Sequence, residues 1–134
     1  MKKAAKKYLA GVGCRVTDTG TSSEESVDYP DFAHAVAQQA APGACQMGLL
    51  FCGTGIGMAM AANKVAGVRA ANVHNLATAR LAREHNNANV LALGTRIVSD
   101  AAAIAMVRKF MRAEFAGGRH QRRINKISAL DECK

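Results

Sequence analysis

A chain of 134 residues, 49% hydrophobic and 21% charged, has the balance of a folded protein rather than a disordered one and the length of one domain with one core. Aromatic residues make up only 4% and Trp is absent, so that core must be aliphatic, built on Ala, Val, Leu, Ile and Met. The formal charge of +8 argues for anionic ligands, but the basic residues are spread over several segments without interleaved aromatics, which argues against nucleic acid; no apolar run approaches the roughly 18–20 residues of a membrane span.

The N-terminus, Met1-Lys2-Lys3-Ala4-Ala5-Lys6-Lys7, is basic with no apolar stretch of secretory length behind it, so a cytoplasmic protein is expected. Residues 2–10 read as a helix, with Ala4, Ala5, Tyr8 and Leu9 on one face and lysines on the other. Gly11 and Gly13 end it, Cys14 to Thr17 reads as a short strand, and Asp18 to Asp28 has loop composition. Pro30 suits the first turn of a helix running to about Ala41, which Pro42-Gly43 stops. Met47 to Phe51 is a continuous apolar run, as in a parallel strand covered on both faces.

After the loop Gly53–Gly57 come a small-residue helix over Met58–Asn63, a strand over Gly67–Ala71, and a helix from about Asn75 to Glu84. A strand follows at Val90–Leu93, closed by Gly94. Ser99 can cap a helix reaching about Phe115, and Gly117-Gly118 separates it from a basic helix over Gln121 to about Leu130. Alternating helices and apolar strands predict an α/β fold, a Rossmann-like parallel sheet with helices on both faces.

Cys14, Cys45, Cys52 and Cys133 show no C-x-x-C spacing and the four histidines are scattered, so neither a disulfide framework nor a metal site is expected. The segment Cys52-Gly53-Thr54-Gly55-Ile56-Gly57 lies between a buried strand and a helix start, where open α/β sheets bind ligands. Its glycines let backbone N–H groups approach an anion, or they form no more than a tight turn. No Gly-Lys-Ser/Thr follows, the spacing is G-x-G-x-G rather than G-x-G-x-x-G, and Asn72 to Asn75 holds no acidic side chain for a ribose. A helix N-terminus favours thiolate over thiol, which would let Cys52 act as a base or nucleophile; the alternative is a small buried residue at a strand end.

The run Gly48-Leu49-Leu50-Phe51-Cys52-Gly53-Thr54-Gly55-Ile56-Gly57, with Ala61-Ala62-Asn63-Lys64-Val65-Ala66-Gly67-Val68-Arg69-Ala70, closely resembles the B-type ribose-5-phosphate isomerases, whose relatives include the galactose-6-phosphate isomerase subunits. Ser26 to Ala33, Arg83 to Gly94 and Gly117 to Arg123 agree as well. The resemblance implies aldose–ketose isomerisation of a sugar phosphate through an enediolate, with no cofactor and no metal. It implies Cys52 as the base for the carbon proton, because Met58 stands where other members carry a glutamate. It further implies Thr54 and His85 for ring opening, amides of Gly53, Gly55 and Gly57 for the enediolate oxygen, and Asn86 and Tyr29 for the sugar. Arg119 and Arg123 would hold the phosphate, four residues apart on one helical face. Read alone, His85 is a helix-end residue and the arginines a solvated basic face; His34, His120, Cys14, Cys45 and Cys133 receive structural readings, and His74 and Asn75 border the site. The partners implied are a small phosphorylated sugar and a second copy, in a homodimer or a tetramer with shared sites, and neither nucleic acid nor membrane.

The resemblance also implies a central first strand ending in Asp-His-x-Gly, between Cys14–Thr17 and Met47–Phe51, and this chain begins within the first helix. Residues 1–134 are therefore expected to be one sugar-phosphate isomerase domain, N-terminally incomplete, starting at an internal methionine; a decayed or regulatory paralogue is the alternative. The functional expectation is ribose 5-phosphate isomerisation. A hexose-6-phosphate isomerase subunit and a catalytically silent phosphosugar-binding subunit are the alternatives.

Overall fold

A computed structural model describes residues 1–133. Six helices and three strands alternate: α1 (Lys2–Gly11), α2 (Tyr29–Ala40), β1 (Gly48–Cys52), α3 (Ile56–Ala62), β2 (Ala70–Asn72), α4 (Leu76–Glu84), β3 (Val90–Gly94), α5 (Asp100–Arg112) and α6 (Arg119–Ala129), followed by a 3-10 turn over Leu130–Cys133. The sheet is parallel in the order β1-β3-β2, with Gly48 level with Val90, Cys52 with Gly94, and Ala70 with Val90.

Why the sheet is covered on both faces follows from the pleat. Successive residues of β3 point to opposite sides. Val90 and Ala92 join Leu50, Ala33, Ala37, Ala59 and Ala62 in one core beneath α2 and α3. Leu91 and Leu93 join Phe110, Met106, Val107, Ala79 and Ala82 in a second core beneath α4 and α5, against which Tyr8 and Leu9 of α1 also pack. All five residues of β3 are buried, as a central strand requires. Alanine dominates the helix faces, so helices and sheet approach closely without large side chains.

Side-chain caps set the starts of α4 and α5. Asn75 accepts from Thr78 N–H and Ser99 from Ala102 N–H, at 2.8 and 3.1 Å. The sequence reading differs from the structure in several places. Cys14–Thr17 is not a strand: Cys14 N–H closes onto Leu9 carbonyl, and nothing among the described residues pairs with the next three. A strand exists only where a neighbour supplies a ladder, and β1 is an edge strand with no strand beyond it among the described residues. β2 is confined to Ala70–Asn72 because side chains take the preceding backbone groups: Asn89 accepts from Arg69 N–H, and Asn63 caps both Ala70 N–H and its carbonyl. α5 stops at Arg112 instead of about Phe115, where Ala113 turns to extended geometry, and α3 and α6 start two residues earlier than read. Lys134 lies outside the described residues, as does the side chain of Cys133.

The loop after α1 is tied back by charge. Asp18 pairs with Lys6 at 2.9 Å and Lys2 at 3.3 Å and accepts from Gly20 N–H, so its carboxyl is held at about 2, first by the Lys6 bond and then by the Gly20 amide, against a usual 3.8. A depressed carboxyl stabilises the fold fully above its unfolded value and loses that contribution as pH falls through the folded one. NMR titration should place the Asp18 midpoint near 2, and because the pair is exposed, Asp18→Asn should cost less than about 1 kcal/mol at pH 7, a cost that shrinks as pH falls toward 2 and vanishes only below it. In the second core, Phe110 is fully buried with the Arg83 guanidinium 5.6 Å above its ring; Phe110→Ala should lower unfolding stability by about 3–5 kcal/mol in a denaturant titration.

Candidate active site

The carboxyl end of the sheet carries the glycine loop. Beyond β1 and β3, Thr95 N–H donates to Cys52 carbonyl at 2.8 Å and Arg96 N–H to Gly53 carbonyl at 2.9 Å, fastening the loop to the turn after β3. The backbones lie so close that a Cβ on Gly94 would sit 2.6 Å from the Thr54 carbonyl oxygen. Gly55, at φ +80°, caps α3, and a Cβ there would collide with Asn72 Nδ2. Its N–H donates to Cys52 Sγ at 3.2 Å, and Ile56 N–H donates to Thr54 Oγ1 at 3.2 Å. Two of the loop's amides are thus engaged, while those of Gly53, Thr54 and Gly57 have no acceptor among the described residues.

Cys52 is half-buried and Thr54 exposed, whereas Met58 faces the core. Tyr29, at the start of α2, lays its hydroxyl directly against Gly57. The Arg96 guanidinium lies over Gly53, whose Cβ would meet Arg96 Nε at 3.4 Å. Arg96 had no place in the sequence reading. The signal for it was positional: it follows Gly94, and in a parallel sheet the loops after successive strands share one end.

The opposite end gathers cations. α4 runs back from the carboxyl end of β2, so its C-cap, His85, reaches the end where β3 begins. Ala116 N–H donates to Glu84 carbonyl at 2.9 Å, which brings the start of α6 beside it. His120 stacks on His85 with ring centroids 4.2 Å apart. His120 is thus part of this cluster, beyond the structural role assigned from sequence. Its proton affinity is pushed below the usual 6.5 by partial desolvation first, then by His85, Arg119 and Arg123. Neither Arg119 nor Arg123 makes an ion pair among the described residues, and both are exposed. Asn86, next to His85, accepts from Arg69 Nε through its carbonyl and lines a cavity of about 460 Å³ with Arg69, Ile127 and Leu130.

The sequence-derived residues therefore form two groups. Tyr29, Cys52, Gly53, Thr54, Gly55 and Gly57 meet at the carboxyl end of the sheet; His85, Asn86, Arg119 and Arg123 meet at the amino end. β3 stands between them, and at about 3.3 Å per residue its length keeps the groups roughly 13 Å or more apart. A cleft of about 640 Å³ lined by Pro42, Cys45, Met47 and Arg83 belongs to neither group. No cluster of His, Cys, Asp or Glu able to hold a metal occurs among the described residues, and no helix there is long and apolar enough to cross a membrane.

The family model described as Ribose/Galactose Isomerase matches residues 1–127. The chain belongs to the ribose/galactose isomerase family. It is 43% identical over 125 residues to the ribose-5-phosphate isomerase B of Escherichia coli, covering 93% of this chain and 84% of that protein. It is 46% identical over 121 residues to a putative sugar phosphate isomerase of Bacillus subtilis, covering 90% and 77%. The solved ribose-5-phosphate isomerase B of Clostridium thermocellum superposes with a TM-score of 0.96 at 46% identity, covering 98% of this chain and 89% of that one. The Mycoplasma genitalium enzyme with bound ribulose-5-phosphate gives 0.95 at 46%, covering 99% and 89%. The expected fold and family thus hold, and the chain is a sugar-phosphate isomerase.

In this isomerase the amino-end cluster has the charge of an anion site, and His120 reports on it. An NMR titration should give His120 a midpoint below 6.5. Inorganic phosphate should raise that midpoint, because an anion beside the ring favours the imidazolium.

Proposed function

We propose that this isomerase interconverts ribose 5-phosphate and ribulose 5-phosphate, with Cys52 as the base that carries the carbon proton and with each active site shared between two copies of the chain. The observation that carries the reading is the Gly55 N–H donated to Cys52 Sγ at 3.2 Å, at an open strand end beside the exposed Thr54. An amide aimed at sulfur favours a thiolate, and a thiolate is the form that accepts a proton. The relatives named ribose-5-phosphate isomerase B, one of them holding ribulose-5-phosphate, support the choice of a pentose phosphate.

The chemistry divides into two steps. In ring opening, a base takes the proton of the anomeric hydroxyl while an acid protonates the ring oxygen; the His85 imidazole with the Thr54 hydroxyl would serve. In isomerisation, the Cys52 thiolate removes the C2 proton of the open aldose, leaving an enediolate across C1 and C2. The same thiol then returns the proton to C1, while a proton moves from the C2 hydroxyl to the C1 oxygen. The loop amides without acceptors among the described residues, those of Gly53, Thr54 and Gly57, would stabilise the developing negative oxygen at the helix start. Tyr29 and Asn86 would border the sugar, and Arg119 and Arg123 would grip the phosphate. The ring-opening and carbon protons are handled by side chains and the proton between the two oxygens passes within the enediolate, so the scheme calls on neither metal nor organic cofactor.

Geometry supports a shared site. Cys52 and the arginine pair lie at opposite ends of one sheet, and a five-carbon sugar phosphate spans less than that separation. A homodimer in which each chain lays its His85–Arg123 end over the other's Cys52 loop completes two equal sites. The exposed apolar side chains Ile56 and Met60 on α3, with Ile127 on α6 and Leu130 at the start of the 3-10 turn, border these two ends and would be covered by such a contact.

A coupled assay with ribose 5-phosphate tests the reading. Cys52→Ala should lower kcat by about 10²–10⁴ while sugar-phosphate binding survives, and Arg119→Ala/Arg123→Ala should mainly raise KM. Mixing the two variants at a substrate concentration far below the raised KM, where each alone is nearly inactive, and allowing subunits to exchange should restore roughly a quarter of the parental activity, because half the dimers then carry one intact site of two. Turnover of galactose 6-phosphate in place of the pentose would reassign the substrate. Phosphosugar binding without turnover of either would make the chain a silent subunit.

A further inference from the structure

One residue outside both groups of site residues controls the amide that faces the Cys52 sulfur. Asn72 ends β2 level with Ala92 of β3. Its Nδ2 donates to the carbonyls of Ala92 and Thr54, both at 3.2 Å. Thr54 carbonyl has no other hydrogen-bond donor among the described residues. The atom it belongs to is one end of the Thr54–Gly55 peptide group, and the other end of that same planar group is the N–H that reaches Cys52 Sγ. In a trans peptide the C=O and N–H point in opposite directions, so fixing one fixes the other.

Gly55, at φ +80° and ψ −14°, has the geometry of the third residue of a type II turn. The alternative to such a turn is the type I form, reached by rotating the central peptide through half a circle. Glycine permits both. In the flipped form the Thr54 carbonyl would point at Cys52 and the N–H away from it, opposing a thiolate instead of stabilising it. The backbone alone therefore leaves the polarity at the sulfur open.

We infer that Asn72 is a positioning residue for the isomerase reaction: by holding the Thr54 carbonyl it locks the Thr54–Gly55 peptide with its N–H toward Cys52. The chain Asn72 Nδ2–H to Thr54 C=O, then Gly55 N–H to Cys52 Sγ, is a relay of two aligned hydrogen bonds in which each polarises the next. No hydrogen bond joins Asn72 to the sulfur among the described residues, so its effect is carried by the peptide between them. The inference rests on the proposed role of Cys52.

The test uses Asn72→Ala and Asn72→Asp in the full-length chain, both of which remove the donor, together with Asn72→Gln, which keeps a carboxamide. Two quantities are measured: steady-state turnover of ribose 5-phosphate, and the rate of Cys52 carbamidomethylation by iodoacetamide at neutral pH, followed by peptide mass spectrometry with Cys14 and Cys45 as internal controls. Removing the donor should lower kcat on the order of tenfold to a hundredfold with KM held within about twofold. It should also slow Cys52 alkylation roughly three- to tenfold without changing that of the other two thiols, and Asn72→Gln should recover part of both. Alkylation and kcat that both stay within twofold of the parent in Asn72→Ala would overturn the inference. So would loss of folding in both Asn72→Ala and Asn72→Asp, since Asn72 would then be a general structural residue. If the parental chain turns over no sugar phosphate, the proposed function fails, and the alkylation rates still decide whether Asn72 sets the polarity of the loop.

Discussion

The loop from Cys52 to Gly57 has to lie flat on the end of β3, and the rest of the site depends on that contact. Two backbones can approach this closely only where side chains are missing, and Gly94 on one segment faces the Thr54 carbonyl on the other with no room for a Cβ. β1 and β3 pair along their whole length, so the contact is set by sheet register and leaves the loop no freedom to slide. From that base the turn after β3 pins the Cys52 and Gly53 carbonyls, and the first turn of α3 begins with its N–H groups directed outward. The thiol, the exposed hydroxyl of Thr54 and the free amides are consequences of one packed junction.

Around this junction the protein is economical in side-chain volume. Its cores are built from alanine, valine and leucine on a three-stranded sheet, with no polar residue among those that are buried. Alanine-rich helices sit close to the sheet and hold the strand ends in place. Charge is kept at the rim, where it meets either a partner, as Asp18 meets Lys2 and Lys6, or open solvent, as Arg119 and Arg123 do. Arg119 and Arg123, without ion pairs among the described residues, gather with the stacked His85 and His120 at the amino end of the sheet. A parallel sheet with crossing helices separates these two ends by construction. Every strand delivers its following loop to one end, and every helix carries the chain back to the other. In the proposed dimer, two copies meeting end to end would bring a base and a phosphate clamp within the length of one sugar.

Much of this was legible in the amino-acid order. Apolar runs at Met47–Phe51 and Val90–Leu93, helix caps at Asn75 and Ser99, and breaks at Pro42-Gly43 and Gly117-Gly118 are local signals, and each corresponds to an observed element or boundary. The resemblance carried by the Cys52–Gly57 loop and the His85–Asn89 segment named the family that the comparisons establish. The strand expected at Cys14–Thr17 did not form, because a strand is a pairing between segments and local composition says nothing about whether a partner lies alongside. The contributions of Arg96, Asn72 and His120 were equally invisible. Each is an ordinary polar residue in sequence, and its meaning comes from what lies across from it: Gly53 for Arg96, the Thr54 carbonyl for Asn72, His85 for His120.

The sequence by itself determined the α/β class, most element positions and the family, and it offered the thiol and the arginine pair as candidates, because periodicity, capping and glycine placement act over a few residues. Tertiary structure alone decided which of those groups stand together. Cys52 and Arg119 are separated by the sheet in one chain, and the orientation of the Thr54–Gly55 peptide depends on a side chain 18 residues further on. Distances across a fold arise from strand register and helix direction, and these are properties of the packed whole.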